Sequence, residues 1–225
     1  MFYLDDRRVY RDQALDRFAW LDHGFGTRTS ENWPPSPLAT VKQIHSNRVL
    51  TVAHSIAGKV GEGDALVTSA PSAWIGVRTA DCLPILFVDQ KNHAVAAVHA
   101  GWRGTVGQIA QKTLGEMTRE FNTAPQDVWA ALGPCIGPCC FEVGPEVAVQ
   151  FERFFPERTD LRSKTRIDLA EANRLQLTAA GVPPAQVSVS GLCTVCRPAE
   201  MHSFRRDREA SGRMVAAIGL RGTAG

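Results

Sequence analysis

Two continuous apolar runs dominate the middle of the chain, "PILFVDQ" (84–90) and "HAVAAVHA" (93–100), joined by a turn-like link over residues 90–92. Both have the length of core strands. "DALVTS" (64–69) and "WIGVRT" (74–79) predict two more short strands, rich in β-formers. The period then changes. Across "GWRGTVGQIAQKTLGEMTREF" (101–121), Val106, Ile109, Ala110, Thr113, Met117 and Phe121 recur at helical spacing, which predicts one amphipathic helix. "DVWAALG" (127–133) returns to a strand pattern, and "PEVAVQFERFF" (145–155) reads as a helix. Asp168 followed by Glu171 resembles a capping box, opening a helix that runs to a glycine stop with Pro183 beyond. "QVSVSGLC" (186–193) and "GRMVAAIGLR" (212–221) close the chain as strands. Strands and helices in this mixed order give an α/β or α+β domain.

The length, 225 residues, suits one domain spanning 1–225. "TSENWPPSPLAT" (29–40) is the clearly irregular stretch, and the strand-like sequence around it makes it a loop rather than a boundary. Net charge is +2, and acids interrupt even the basic "SFRRDRE" segment, so no stripe suited to nucleic acid is expected. No apolar run approaches the roughly 18 residues of a membrane span. The N-terminal "MFYLDDRRVY" is charged early and lacks an apolar signal core. With Cys139 and Cys140 adjacent, an awkward pair for a disulfide framework, the six cysteines read as reduced thiols in a cytoplasmic protein. The oligomeric state is left open.

Candidate chemistry begins where the apolar runs end. Cys82 immediately precedes one core strand and His99 closes the next, so antiparallel pairing would bring thiol and imidazole to one end of a sheet. Taken singly, each is as well explained as a core residue. A helix beginning near Gly104 would point its N-terminus at the same rim and favour an anion there. His45, in "VKQIHSNRV", adds a second imidazole. Two imidazoles and one thiolate suit zinc with an open fourth position, and copper is compatible with the same set. Asp81, beside the thiol, is an acid that needs partners if buried, and it is a candidate proton carrier together with Glu142. Arg28, Arg103, Arg205 and Arg206 are candidates for binding phosphate or carboxylate, against the ordinary reading of solvated surface charge. "CTVC" (193–196) with Cys135, Cys139 or Cys140 would make a closed structural zinc site, a redox pair or incidental thiols. "LGPCIGPCCFEVG" (132–144) predicts a rigid loop that walls a pocket.

The segments "QIHS", "GDALVT", "TADCLPILFVD", "AAVHAGWRGT", "LGPCIGPCCFEVG", "DLAEANRLQL" and "SFRRD…SGRM" appear in this order. They resemble the laccase-domain family, also called multicopper polyphenol oxidoreductases and more recently purine nucleoside phosphorylases, from about Gln43 to the C-terminus. The resemblance implies a four-layer α/β/β/α sandwich with mixed sheets, related to the catalytic domain of cytotoxic necrotizing factor toxins. It implies zinc held by His45, Cys82 and His99, phosphorolysis of adenosine, inosine, guanosine and methylthioadenosine, and deamination of adenosine. The partners would then be a purine nucleoside and phosphate. At the N-terminal side the chain departs from the family pattern: only "GFGTR" stands where a longer segment is usual, which places Arg28 in doubt. Three other readings stay open. Cys82 activated by His99 would make a hydrolase or deamidase without a metal. Copper at the same ligands would make a polyphenol oxidase, although six histidines are few for several copper centres. A non-catalytic nucleoside-binding module is the third.

Overall fold

The computed structural model describes residues 1–222. Its first sheet is built from β1 (Phe2–Leu4), β2 (Val9–Asp12), β3 (Leu21–Gly26), β4 (Ala39–Lys42), β6 (Gly58–Glu62), β8 (Trp74–Thr79) and β15 (Met214–Leu220). The second contains β5 (Val49–Thr51), β7 (Ala65–Thr68), β9 (Leu83–Asp89), β10 (Ala94–Ala100), β11 (Val128–Leu132) and β14 (Val187–Val189). Strand order is β1-β2-β3-β15-β8-β4-β6 in one and β14-β11-β9-β10-β7-β5 in the other. Both sheets are mixed: β4 runs parallel to β6 and β8, β5 to β7 and β11 to β14, while the remaining pairs are antiparallel. A ribbon of β12 (Glu142–Val143) and β13 (Thr165–Arg166) stands apart.

The sheets pack face to face. Leu86 and Val88 of β9 and Val95 and Ala97 of β10 meet Phe25, Ile75, Val77 and Ile218 of the first sheet. The alternate residues of β9 and β10, including Ile85, Phe87, Ala96 and Val98, face the helices α3 (Ile109–Phe121) and α5 (Leu169–Ala179). All seven positions of each strand are therefore buried. This is why the two runs show no polar alternation: each strand has an apolar neighbour on both faces.

The predicted strands form within a residue or two of expectation, and so does α5, except that the strand expected over 186–193 is only β14 (Val187–Val189) and stops before Gly191, which has φ +67°. Asp168 caps α5 by accepting from the Glu171 N–H at 2.9 Å, but the Glu171 carboxylate turns to Arg174, so only half of the capping box forms. Two helical expectations need correction. The helix over 101–121 is broken into α2 (Trp102–Val106) and α3, because Gln108 takes a left-handed conformation, φ +61°. The break leaves Ile109, Ala110, Thr113 and Met117 facing the second sheet and sends Val106 to a separate cluster around Ile136, Phe141 and Phe151. In 145–155 a single helical turn, α4 (Pro145–Ala148), gives way to a 3-10 turn, with Ala148 and Phe151 buried in that cluster and Val147, Phe154 and Phe155 packed against it.

The expected mixed α/β architecture is present, with helices on the outer face of the second sheet. On the outer face of the first sheet, the cover comes from the irregular segment. Gly24 and Gly26 of β3 lie under the Trp33 indole, whose N–H donates to the Val215 carbonyl at 2.9 Å. Gly219 lies under Trp74, which meets Trp33 edge-on. A surface paved with glycine has no ridges for a helix, but it accepts flat rings closely. Among the described residues no helix is long and apolar enough to cross a membrane.

Candidate metal centre and its cavity

Between β4 and β9 the chain alternates between the sheets, and three crossings in the same direction fall at one end. Residues 43–48 pass from β4 to β5 and carry His45; residues 63–64 pass from β6 to β7 and carry Asp64. Residues 80–82 pass from β8 to β9 and carry Asp81 and Cys82. His99 arrives on β10, which pairs with β9 in the register His99 to Pro84 and Ala100 to Leu83. Cys82 and His99 therefore reach the same end, as the sequence pattern predicts. The crossings are tight: His45 has φ +57° and Asp81 φ +87°.

The donor atoms of His45, Cys82 and His99 lie within 4.8 Å of one another, and the two rings meet edge-on with centroids 4.9 Å apart. Gly101 closes the floor. A Cβ there would stand 3.0 Å from Cys82 Sγ and 3.3 Å from His45 Cδ2. Asp64 organises the group. One carboxylate oxygen accepts from the His45 N–H at 3.0 Å and contacts His99 Nδ1 at 2.8 Å. The other accepts from the Ser46 N–H at 2.6 Å and the Ser46 hydroxyl at 2.7 Å. With Nδ1 tied to Asp64, His99 presents Nε2 to the cluster.

Burial opposes charge on Cys82, but hydrogen bonds with His45 and His99 outweigh it and bring the thiol down to about 6. Burial likewise opposes charge on His99, while its bonds to Asp64 and Cys82 lift it to about 9. Asp64 is held down at about 2 against its burial, chiefly by its bonds to His99 and Ser46. Without a metal, the group is thus a thiolate beside an imidazolium that leans on a carboxylate. Its donors, one thiolate sulfur and two imidazole nitrogens with a carboxylate behind one ring, fit a zinc ion and also fit copper.

The three ligands line a cavity of about 770 Å³. Of the other predicted residues, Asp81 and Arg205 share its wall; Arg28, Arg103, Arg206 and Glu142 do not. Arg28 donates to the Pro198 carbonyl, and Arg103 stacks on Trp102. Arg206 donates to the carbonyls of Thr194, Val195 and Met201. Glu142 pairs with Lys164. Asp81 accepts from the Thr194 hydroxyl and the Arg205 N–H, both at 2.6 Å, which satisfies a buried carboxylate and fixes Arg205 at the wall. The expected helix N-terminus belongs to the five-residue α2, and the longer α3 starts after the break, so positive charge in the cavity comes from side chains instead.

Sequence reasoning missed Asp64, Gln43, Arg78, Lys59 and Arg213. Gln43 clamps Arg78 by exchanging two amide hydrogen bonds with its backbone, each 2.8 Å. Among the described residues no carboxylate lies within 4 Å of the charged ends of Lys59, Arg78, Arg205 or Arg213. Asp64 carried a signal, an acid at the mouth of the buried strand "ALVT"; the scattered cations carried none. The cysteines Cys139, Cys140, Cys193 and Cys196 gather in a second group, without Cys135, whose thiol faces the Ile136 carbonyl.

Residues 27–221 match the family described as multi-copper polyphenol oxidoreductase laccase. This extends the likeness upstream of Gln43, through the irregular segment. A purine nucleoside phosphorylase of Bacteroides thetaiotaomicron is 45% identical over 161 residues, which cover 69% of this chain and 60% of that protein. The adenosine deaminase RL5 of an unknown prokaryotic organism is 44% identical over 161 residues, 69% of this chain and 61% of that protein. The chain thus aligns with somewhat under two thirds of the length of these two relatives. The crystal structure of YlmD from Geobacillus stearothermophilus superposes with a TM-score of 0.85 at 29% identity, covering 98% of each chain.

Proposed function

This chain belongs to the multi-copper polyphenol oxidoreductase laccase family, and from that membership we propose that it is a zinc-dependent enzyme of purine nucleosides. The activities proposed are phosphorolysis of adenosine, inosine, guanosine and methylthioadenosine, and deamination of adenosine. The names of its relatives support this reading. The observation that carries it is the composition of the cavity. A His₂Cys ligand set opens into a space ringed by four cations without carboxylate partners and walled by Trp102, Phe141 and Phe204. Aromatic faces suit a purine ring, and guanidinium groups suit phosphate.

In phosphorolysis, Arg78, Arg205, Arg213 and Lys59 hold hydrogenphosphate. One of its oxygens attacks C1′ as the bond from C1′ to the base breaks, and its proton ends on the free base. Asp81 acts as a positioning residue, through the Arg205 backbone. Zinc, when bound by His45, Cys82 and His99, supplies Lewis-acid charge at the cavity floor. Asp64 keeps His99 in the ligating tautomer and His45 in its loop.

The test is to incubate the protein with adenosine, with and without phosphate, and to separate the products. Adenine formed only with phosphate reports phosphorolysis, and inosine reports deamination. A zinc-loaded protein that yields neither overturns the proposal, and so does a Cys82→Ala variant with full activity.

One arrangement supports a second reading. Cys82, His99 and Asp64 form a thiolate–imidazole–carboxylate relay of the kind used by cysteine hydrolases. Metal analysis and iodoacetamide separate the two, because a ligating thiolate is shielded and a free one is alkylated quickly. An oxidase with several copper centres lacks ligands here. Of the other four histidines, His23 accepts from the Asp12 N–H, His93 stacks on Trp20, and none of the four lines the cavity.

A further inference from the structure

The second cysteine group has no part in the cavity chemistry, yet its geometry is that of a single-ion site. From the Cys139, Cys140, Cys193 and Cys196 tetrad we infer that the chain holds another zinc ion, bound by four thiolates, that clasps two loops behind the cavity wall. The four sulfurs lie within 4.8 Å of one another, with Cys139 to Cys196 at 3.7 Å and Cys140 to Cys196 at 3.5 Å. Zinc–sulfur bonds of about 2.3 Å in a tetrahedron place neighbouring sulfurs about 3.8 Å apart. Four sulfurs gathered this closely surround one ion and leave no room for a multinuclear iron–sulfur core.

The loops are shaped for ligation. Cys139 and Cys140 sit in a tight turn where the N–H groups of Cys140 and Phe141 both donate to the Gly137 carbonyl at 2.9 Å. Cys193 and Cys196 are the ends of a C-x-x-C turn. The Gly137 N–H donates to Cys193 Sγ at 3.3 Å, and the Val195 and Cys196 amides face the same sulfur. Amides aimed at a sulfur stabilise a thiolate over a thiol. Gly137 allows the approach: a Cβ there would lie 3.3 Å from Cys139 Sγ and 3.2 Å from Cys193 Cβ. Two guanidinium groups brace the backbone of these loops: Arg205 donates to the Cys140 and Glu142 carbonyls, and Arg206, itself paired with Asp207 at 2.7 Å, donates to those of Thr194 and Val195. This gives Arg206 a role away from substrate.

The loops are otherwise joined by the Cys135–Cys193 bridge, a few backbone bonds, the Gly137 contact and the packing of Val195 in the cluster around Ile136 and Phe141. They also carry Phe141 of the cavity wall and Thr194, the partner of Asp81. Closure by one ion fixes both at once.

The experiment is zinc quantification on the purified full chain together with His45→Ala and Cys193→Ser/Cys196→Ser variants, and zinc-edge X-ray absorption on His45→Ala. His45→Ala should retain one zinc per chain with a shell of four sulfurs at about 2.3 Å. The double serine variant should lose that ion and keep the His₂Cys one. A folded His45→Ala protein without zinc, with iron in its place, or with a mixed nitrogen–sulfur shell overturns the inference. Intact-mass evidence of disulfides among these four cysteines in freshly isolated protein does the same. Loss of metal in His45→Ala alone counts against this site, and loss in the double serine variant alone counts against the His₂Cys reading.

Discussion

At the scale of single residues, the most consequential side chain ligates nothing. Asp64 is wholly buried and fixes His99, His45 and Ser46 through one carboxylate. Asp64→Asn keeps its size and removes its charge, so zinc affinity at the His₂Cys site should fall about 10- to 100-fold in a chelator competition. His23 is a second residue with a measurable signature. Burial and the Arg11 charge hold its imidazole down at about 4, and it accepts from the Asp12 N–H at 3.0 Å. Below about pH 6.5 the unfolded chain takes up a proton that the folded chain refuses. The stability His23 contributes is therefore complete above that pH, falls as the pH drops toward 4, and then levels off. The full swing is about 3 kcal/mol. Urea midpoints of the wild type and His23→Gln at pH 7.5 and 5 check this: the variant should lose less between the two, and equal losses would refute it. Cys82 and His99 were legible in the sequence because each interrupts the end of an apolar run. Asp64 was less so, since a lone acid at a strand start does not say what it holds.

Among the elements, close approach at glycines sets the geometry. Gly101, between β10 and α2, has φ −69°, which any residue adopts, so its identity reflects space rather than backbone strain. Gly101→Ala should leave the circular dichroism and thermal unfolding of the metal-free chain nearly unchanged while abolishing zinc at the His₂Cys site, because the new methyl would press on Cys82 Sγ. Gly133 gives the contrasting case. A Cβ there would stand 2.2 Å from the buried Phe25 ring of the opposite sheet. Gly133→Ala should cost about 1–3 kcal/mol in denaturant unfolding, as overpacking does. The strands were readable because apolar runs report burial directly. The break at Gln108 was not, because Val106 and Ile109 keep helical spacing whether or not the helix is continuous. The glycine-paved face under Trp33 was equally hidden, as its partner is a proline-rich segment that sequence pattern marks only as irregular.

For the whole molecule, a net charge of +2 conceals a local excess. Four cations without carboxylate partners, Lys59, Arg78, Arg205 and Arg213, converge on one cavity, and among the described residues Asp81 is the sole acid on its wall. On the proposed phosphorolysis, Arg78→Ala should raise KM for phosphate several-fold with little change in KM for nucleoside, and the wild-type KM for phosphate should climb with ionic strength more steeply than the variant's.

The three crossings that carry His45, Asp64 and Cys82 tie the site to the sandwich as a whole. Neither sheet alone contains the ligand set, so the site exists only when both are assembled. An ion bound there is coupled to global unfolding rather than to a local loop, and it adds RT ln(1 + [M]/Kd) to the stability of the fold. Under the proposed zinc reading, free zinc concentration acts as a folding variable. Chelation should lower the unfolding temperature and speed hydrogen exchange in the central strands of both sheets together.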